Sequence, residues 1–109
     1  MKSKESHSGD FQSLPEIDRL VHEPARLAIM AVLYAVDCAD FLFVMRQTSL
    51  TRGNLSSHMS KLEEAGYLEI KKEFVDKIPR TLLRITPKGR QALKAYRENM
   101  NEVLRQLPE

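Results

Sequence analysis

Apolar residues recur along this chain with two different periods, and the change of period divides it into elements. Leu55, Met59, Leu62 and Ala65 recur at helical spacing, while Gly53, Ser57 and Ser60 fall on the opposite side. From Tyr67 the period shortens to two: Leu68, Ile70 and Phe74 alternate, with Lys72 interrupting the apolar face, and Leu83 and Ile85 alternate after them. The pattern predicts a helix over Leu50 to Gly66, then two short strands around a turn at Asp76 to Pro79. Gly66 is the residue expected at a left-handed helix C-terminus. Pro79 suits a hairpin tip or an edge, where no ladder hydrogen bond is lost.

Upstream, residues 1 to 13 are too poor in apolar groups to hold a fixed structure. Leu14 to His22 reads as a short helix. Pro24 suits the first turn of the next helix, whose run from Ala25 to Ala35 is apolar nearly all round and reads as the buried centre of the core. Asp40 is placed to cap a third helix, with Phe41, Leu42, Val44 and Met45 available for burial. Thr48, Ser49 and Leu50 turn directly into the next helix, capped by either Ser49 or Thr51, and two helices joined so tightly form a helix-turn-helix. Downstream, Thr86 and Pro87 read as the cap and first position of a last helix running towards Leu107. On it Leu93, Tyr96, Met100, Val103 and Leu107 make a heptad seam. That seam fits either a dimer interface or packing on the chain's own core. The dimer is favoured because a helix appended here has few core surfaces left to cover.

With 109 residues and 42% hydrophobic content, the chain supports one domain with one small core. Its net charge of +2 says little, but the distribution says more. Residues 1 to 50 carry five basic and seven acidic side chains, residues 51 to 90 nine and five, and residues 91 to 109 three of each. Positive charge therefore collects on the helix and hairpin. No apolar signal core or membrane-length segment is present, and a single cysteine cannot form an internal disulfide, so a reducing cytoplasm is the expected location. Cys38 has no second cysteine or His pair at ligand spacing and reads as a small packed thiol; no metal or other cofactor is expected. Neither a Gly-x-Ser-x-Gly elbow, a phosphate-cradling glycine loop nor an HExxH pair supports catalysis.

A helix with little bulk on its outer face brings its backbone close to the floor of a major groove, where short side chains reach base edges. Taken alone, Gly53, Ser57 and Ser60 are equally well a solvated face. Lys71, Lys72, Lys77, Arg80 and Arg84 line the hairpin and its tip. Alone, they read better as a defence against edge pairing. Together, and directly after a helix-turn-helix, the two features point to duplex DNA as partner. His58 lies on the flank of the apolar stripe and fits either a phosphate or base contact or space-filling between helices, the second slightly favoured by its place on the helical wheel. The reading from another class is a module that binds a protein with this surface, which calls for aromatic or aliphatic anchors in place of small polar groups.

The run LTRGNLSSHMSKLEEAGYL, the PRT at Pro79 to Thr81 with its following strand, and the TPKGR at Thr86 to Arg90 resemble the small stand-alone winged-helix transcriptional regulators related to the MarR and ArsR groups. The resemblance covers roughly residues 14 to 100. It implies a mainly α fold with a small β-hairpin, a winged helix-turn-helix of the α+β class with an N-terminal helix and a long C-terminal dimerisation helix. The expected division is 1–13 without structure, 14–90 DNA-binding, and 91–109 dimerisation. The resemblance implies a homodimer on operator DNA, a repressor by expectation, with Thr51, Arg52, Asn54, Ser56, Ser57 and Lys61 facing the major groove. Lys77 and Arg80 then grip phosphate or minor groove, within a wing that also carries Lys71, Lys72 and Thr81. The cysteine-bearing motif of metal-sensing ArsR proteins has no counterpart in Phe41 to Leu50, and no effector is implied.

Overall fold

In the computed structural model, which describes residues 14–109, every helix begins where a side chain accepts from an otherwise unpaired backbone N–H. Glu23 caps α1 (Pro24–Val36), Asp40 caps α2 (Phe41–Thr48), Thr51 caps α3 (Arg52–Glu64) and Thr86 caps α4 (Pro87–Arg105). Thr51, not Ser49, therefore starts α3; Ser49 instead ends α2 in the left-handed region at φ 60°. The expected segment without structure, residues 1–13, lies outside the described residues.

Three strands complete the fold: β1 (Cys38–Asp40), β2 (Leu68–Val75) and β3 (Ile78–Ile85), in the order β1-β3-β2 and all antiparallel. The sequence predicts only the hairpin of β2 and β3. It misses β1 because three residues, Cys38, Ala39 and Asp40, are too few to show an alternation. Asp37, at φ 72°, reverses the chain after α1, and its carbonyl accepts from Ile85 N at 3.1 Å, which brings β1 alongside β3.

The hairpin also turns earlier than predicted. Asp76 and Lys77, with φ of 52° and 68°, form a two-residue connection whose positive φ values fit the right-handed twist of the strands. Pro79 consequently lies inside β3, opposite Phe74. A two-residue loop closes on the hydrogen-bonded pair Val75 and Ile78, so the next pair is non-hydrogen-bonded and Pro79 owes β2 no N–H. On its other side β1 reaches only as far as Leu82, so the missing donor is not needed there either.

A second correction concerns Leu14 to His22, which forms no helix. Asp18 accepts through Oδ1 from Leu20 N and Val21 N, and its carbonyl accepts from His22 N, so local side-chain bonding makes a turn where a helix was expected. This segment straps onto α4 and the start of the hairpin. Tyr67 donates to Asp18 Oδ2 at 2.6 Å, and His22 Nδ1 lies 2.8 Å from Tyr96 Oη.

The core joins Val21, Ile29, Met30, Leu33, Phe41, Val44, Leu55, Met59, Leu62, Leu68, Leu83, Ile85 and Tyr96. Only one face of α1 is fully buried, at Ile29, Met30 and Leu33, whereas Ala31, Ala35 and Val36 are exposed. The all-round apolar composition overstated its burial. Leu42 of α2 is likewise exposed. Thr86 fixes the base of the hairpin to α4: its hydroxyl donates to Gly66 O at 2.6 Å and accepts from Gly89 N at 2.9 Å. Gly66 stands at φ 83°, as its place after α3 predicts.

Candidate nucleic-acid interface

The orientation of α3 follows from its buried stripe. Leu55, Met59 and Leu62 face the core, which turns Gly53, Ser57 and Ser60 outward, all three exposed. A β-carbon added at Gly53 would meet nothing within 4 Å, so that face is open as well as thin. Arg52 and Ser56 lie on the flank nearer the hairpin, and Asn54 lies on the far flank.

The structure brings together part of the expected set. Arg52 and Ser56 from α3 line one cleft of about 420 Å³ with Lys72, Arg80 and Thr81 from the hairpin; Phe41, Met59 and Pro79 form its apolar walls. The Arg52 guanidinium lies 5.3 Å from the centre of the Phe41 ring, which orients the cation at the mouth of the cleft. Lys72, which interrupts the apolar alternation of β2, thereby gains an explanation. It sits on the inner face of the hairpin beyond the end of the core, where it lines this cleft together with Arg52 and Ser56.

The other expected residues stand outside that cleft. Asn54, Ser57 and Lys61 are exposed along α3, and Lys71 and Lys77 are exposed on the hairpin. Thr51 is exposed as well, but its hydroxyl accepts from Asn54 N at 3.1 Å as the helix cap. Lys71 and Arg80 have carboxylates only at the margin of contact, Glu73 at 3.8 Å and Asp40 at 4.0 Å. Exposed pairs of that length contribute little, so both cations remain available to phosphate. Arg84 differs. Although it lies on the same hairpin, it donates to Asp37 Oδ2, and Arg90 donates to Asp37 Oδ1 at 2.9 Å. The Arg90 hydrogen bond, with Arg84 beside it, holds the Asp37 carboxyl below the usual carboxylate range. Arg84 thus braces the base of the hairpin instead of extending its cationic surface.

His58 fills the space between α1 and α3, as its place on the flank of the stripe predicts. Arg26 Nη1 lies 3.1 Å from His58 Nδ1, and Arg26 Nε donates to Leu20 O at 2.7 Å, tying the N-terminal strap to α3. Sequence reasoning missed Arg26 altogether. Its neighbours in sequence are apolar, and nothing local marks the distant partners.

On the proposed seam of α4, Tyr96 is buried in the chain's own core, and Leu93 and Met100 pack against that core. Val103 is half-buried, as Leu93 and Met100 are, and Leu107 is exposed, so the seam is most open at its C-terminal end. Leu104 is exposed beside it. Among the described residues no helix is long and apolar enough to cross a membrane.

Comparison with known proteins gives this geometry a context. Residues 25–104 match the model of a winged helix DNA-binding domain family. An uncharacterized protein of Methanocaldococcus jannaschii is 37% identical over 78 residues, 72% of this chain and 85% of that protein. The structure of a transcriptional regulator homologue from Pyrococcus horikoshii superposes with a TM-score of 0.78 at 32% identity, over 84% of this chain and 91% of that one. A mutant MarR from E. coli, solved with operator DNA, shares the fold at a TM-score of 0.62 and 18% identity, over 82% of this chain and 69% of that one. The expected α+β class and the expected likeness to MarR-type regulators are thus both borne out.

Proposed function

This chain belongs to the winged helix DNA-binding domain family, and from that premise we propose that it is a sequence-specific transcriptional regulator, acting as a repressor when a homodimer occupies a pseudo-palindromic operator. The observation that carries the reading is the shared cleft of Arg52 and Ser56 with Lys72, Arg80 and Thr81. A groove-fitting helix and a cationic hairpin then meet one duplex at once, the helix in the major groove and the hairpin along the adjoining backbone. Thr51, Arg52, Asn54, Ser56, Ser57 and Lys61 are the residues assigned to the major groove, and Lys71, Lys72, Lys77, Arg80 and Thr81 to the wing. Residues 14–90 form the DNA-binding unit in this reading, and residues 91–109 the dimerisation segment.

Two-fold assembly through the end of α4 is supported by the apolar residues that the single chain leaves uncovered there, Leu104 and Leu107. Covering them in a symmetric pair also sets two copies of α3 on one face of the duplex, about one helical turn or a multiple of it apart. The structural neighbours that bear on the reading are a regulator homologue at 32% identity and, for the fold alone, a MarR bound to operator DNA. A module that docks on protein would need large apolar anchors on the outer face of α3, which instead carries Gly53, Ser57 and Ser60. Binding to fragments from the region upstream of the protein's own gene, competed with unrelated duplex, tests the reading. Preferential retention on one fragment is expected, and equal affinity for all fragments would contradict sequence specificity.

A further inference from the structure

The hairpin ends in an apolar tip that phosphate binding does not use. Phe74 is 75% exposed, Ile78 66% and Val75 41%, and Pro79 is exposed beside them. The register pairs Phe74 with Pro79 and Val75 with Ile78, so neighbouring pairs point to opposite faces of the ribbon. The tip is therefore apolar on both faces. Isolated exposed leucines or valines are ordinary on a protein surface, but four contiguous apolar residues at the end of a projecting hairpin are not.

Charge surrounds this tip closely. Lys72 stands directly behind Phe74 on one face, and Arg80 stands behind Ile78 on the other, with Lys71 beside it. Lys77 lies at the apex next to Asp76, and with Glu73 the carboxylates number two against four cations. Asp76 occupies a turn position at φ 52° that favours Asp, Asn or Gly, which accounts for a carboxylate there without reference to a ligand. The two-residue turn also fixes the tip's shape, so little ordering remains to be done when it enters a narrow site.

We propose that the tip is a wedge for duplex DNA: it enters the minor groove, Phe74 and Ile78 push partly between stacked base pairs, and the duplex kinks at that step. The inference rests on the DNA-binding reading and extends it. An apolar wedge needs no hydrogen bonds from the bases, and phenylalanine, isoleucine and proline are among the side chains that serve as wedges in minor-groove binders. The ring of Lys71, Lys72, Lys77 and Arg80 is complementary to the phosphates on both sides of such a groove, whereas an apolar surface on a partner protein leaves those cations unmatched. A wedge of this kind favours steps that unstack easily, TA and CA/TG, and so creates sequence preference where no side chain reads a base edge.

The test uses the full chain at low salt and A·T-rich duplexes in which each TA step carries 2-aminopurine, whose fluorescence rises on unstacking, with a dye pair at the duplex ends to report bending. The wild type is expected to raise 2-aminopurine emission and to shorten the end-to-end distance. Phe74→Ala with Ile78→Ala, both exposed and so compatible with folding by circular dichroism, should lose most of both signals while keeping the salt dependence of binding. Lys77→Ala should do the reverse, binding less well but still unstacking the step in the complexes that form. A wild type that binds without either signal, or a double variant that bends DNA as the wild type does, overturns the wedge alone. A wild type that binds no duplex overturns the DNA-binding reading and the wedge with it.

Discussion

Gly89 faces the backbone carbonyl of Tyr67 so closely that a β-carbon there would lie 2.3 Å from the oxygen. The contact joins the first turn of α4 to the residue that opens the hairpin, and backbone, not a flexible side chain, is in the way. Gly89→Ala should therefore destabilise the fold by about 1 to 3 kcal/mol, as overpacking does, although alanine is the better helix former. Urea unfolding measures it. A variant as stable as the wild type would show that α4 can move away from the hairpin without loss.

Tyr67 supplies a second test through its hydroxyl. Burial, and then the hydrogen bond to Asp18, push its pKa up to about 12 from an ordinary 10. Because the folded value lies above the unfolded one, the stabilisation is complete below about pH 10 and is lost as pH rises towards 12. Tyr67 should ionise late in an ultraviolet titration, and Tyr67→Phe should remove that transition. Asp18→Asn should bring it earlier without restoring the ordinary value, since burial is the larger cause. A titration unchanged by either substitution would refute the assignment.

The caps of α2 and α4, the left-handed glycine after α3 and the alternation of the two hairpin strands were legible because each depends on a few consecutive residues. Asp40, Thr86, Gly66 and the alternation of Leu83 and Ile85 carry their own local reasons. What could not be read depends on partners far along the chain. Strand β1 exists because Asp37 turns the chain back to Ile85, and Asp18 trades a helix for a turn that serves Tyr67. In the candidate interface the cationic residues were visible from the charge distribution, but their division was not. Arg84 is diverted to Asp37, a carboxylate 47 residues away, and Lys72 lines the same cleft as Arg52.

That division predicts different consequences for wing and helix. Lys77→Ala or Arg80→Ala should weaken binding to specific and unrelated DNA alike, because phosphate contacts carry no sequence information. Arg52→Ala or Asn54→Ala should instead erode discrimination, by about 1 to 3 kcal/mol where a bidentate base contact is lost. Competition with specific and random duplexes separates the two. Wing variants that alter specificity only would reverse the assigned roles.

Assembly is tested at the open end of α4. Val103→Glu with Leu107→Glu touches neither the buried Tyr96 nor Met100 against the core, so the fold should persist by circular dichroism. Four charges would then face one another in the pair, an opposition worth about several kcal/mol in a buried interface, and sedimentation should show a monomer with greatly weakened operator affinity. A folded double variant that stays dimeric would place the interface elsewhere, and a monomeric wild type would end the dimer proposal.

The central claim is that this protein grips duplex DNA through cations on α3 and the hairpin, and a salt titration of binding tests it most directly. About six to ten phosphate contacts per dimer should weaken binding on the order of a thousandfold or more between 50 and 200 mM salt, with a linear dependence of log affinity on log salt. Affinity that stays constant across that range, or no measurable binding at its lower end, would contradict the account.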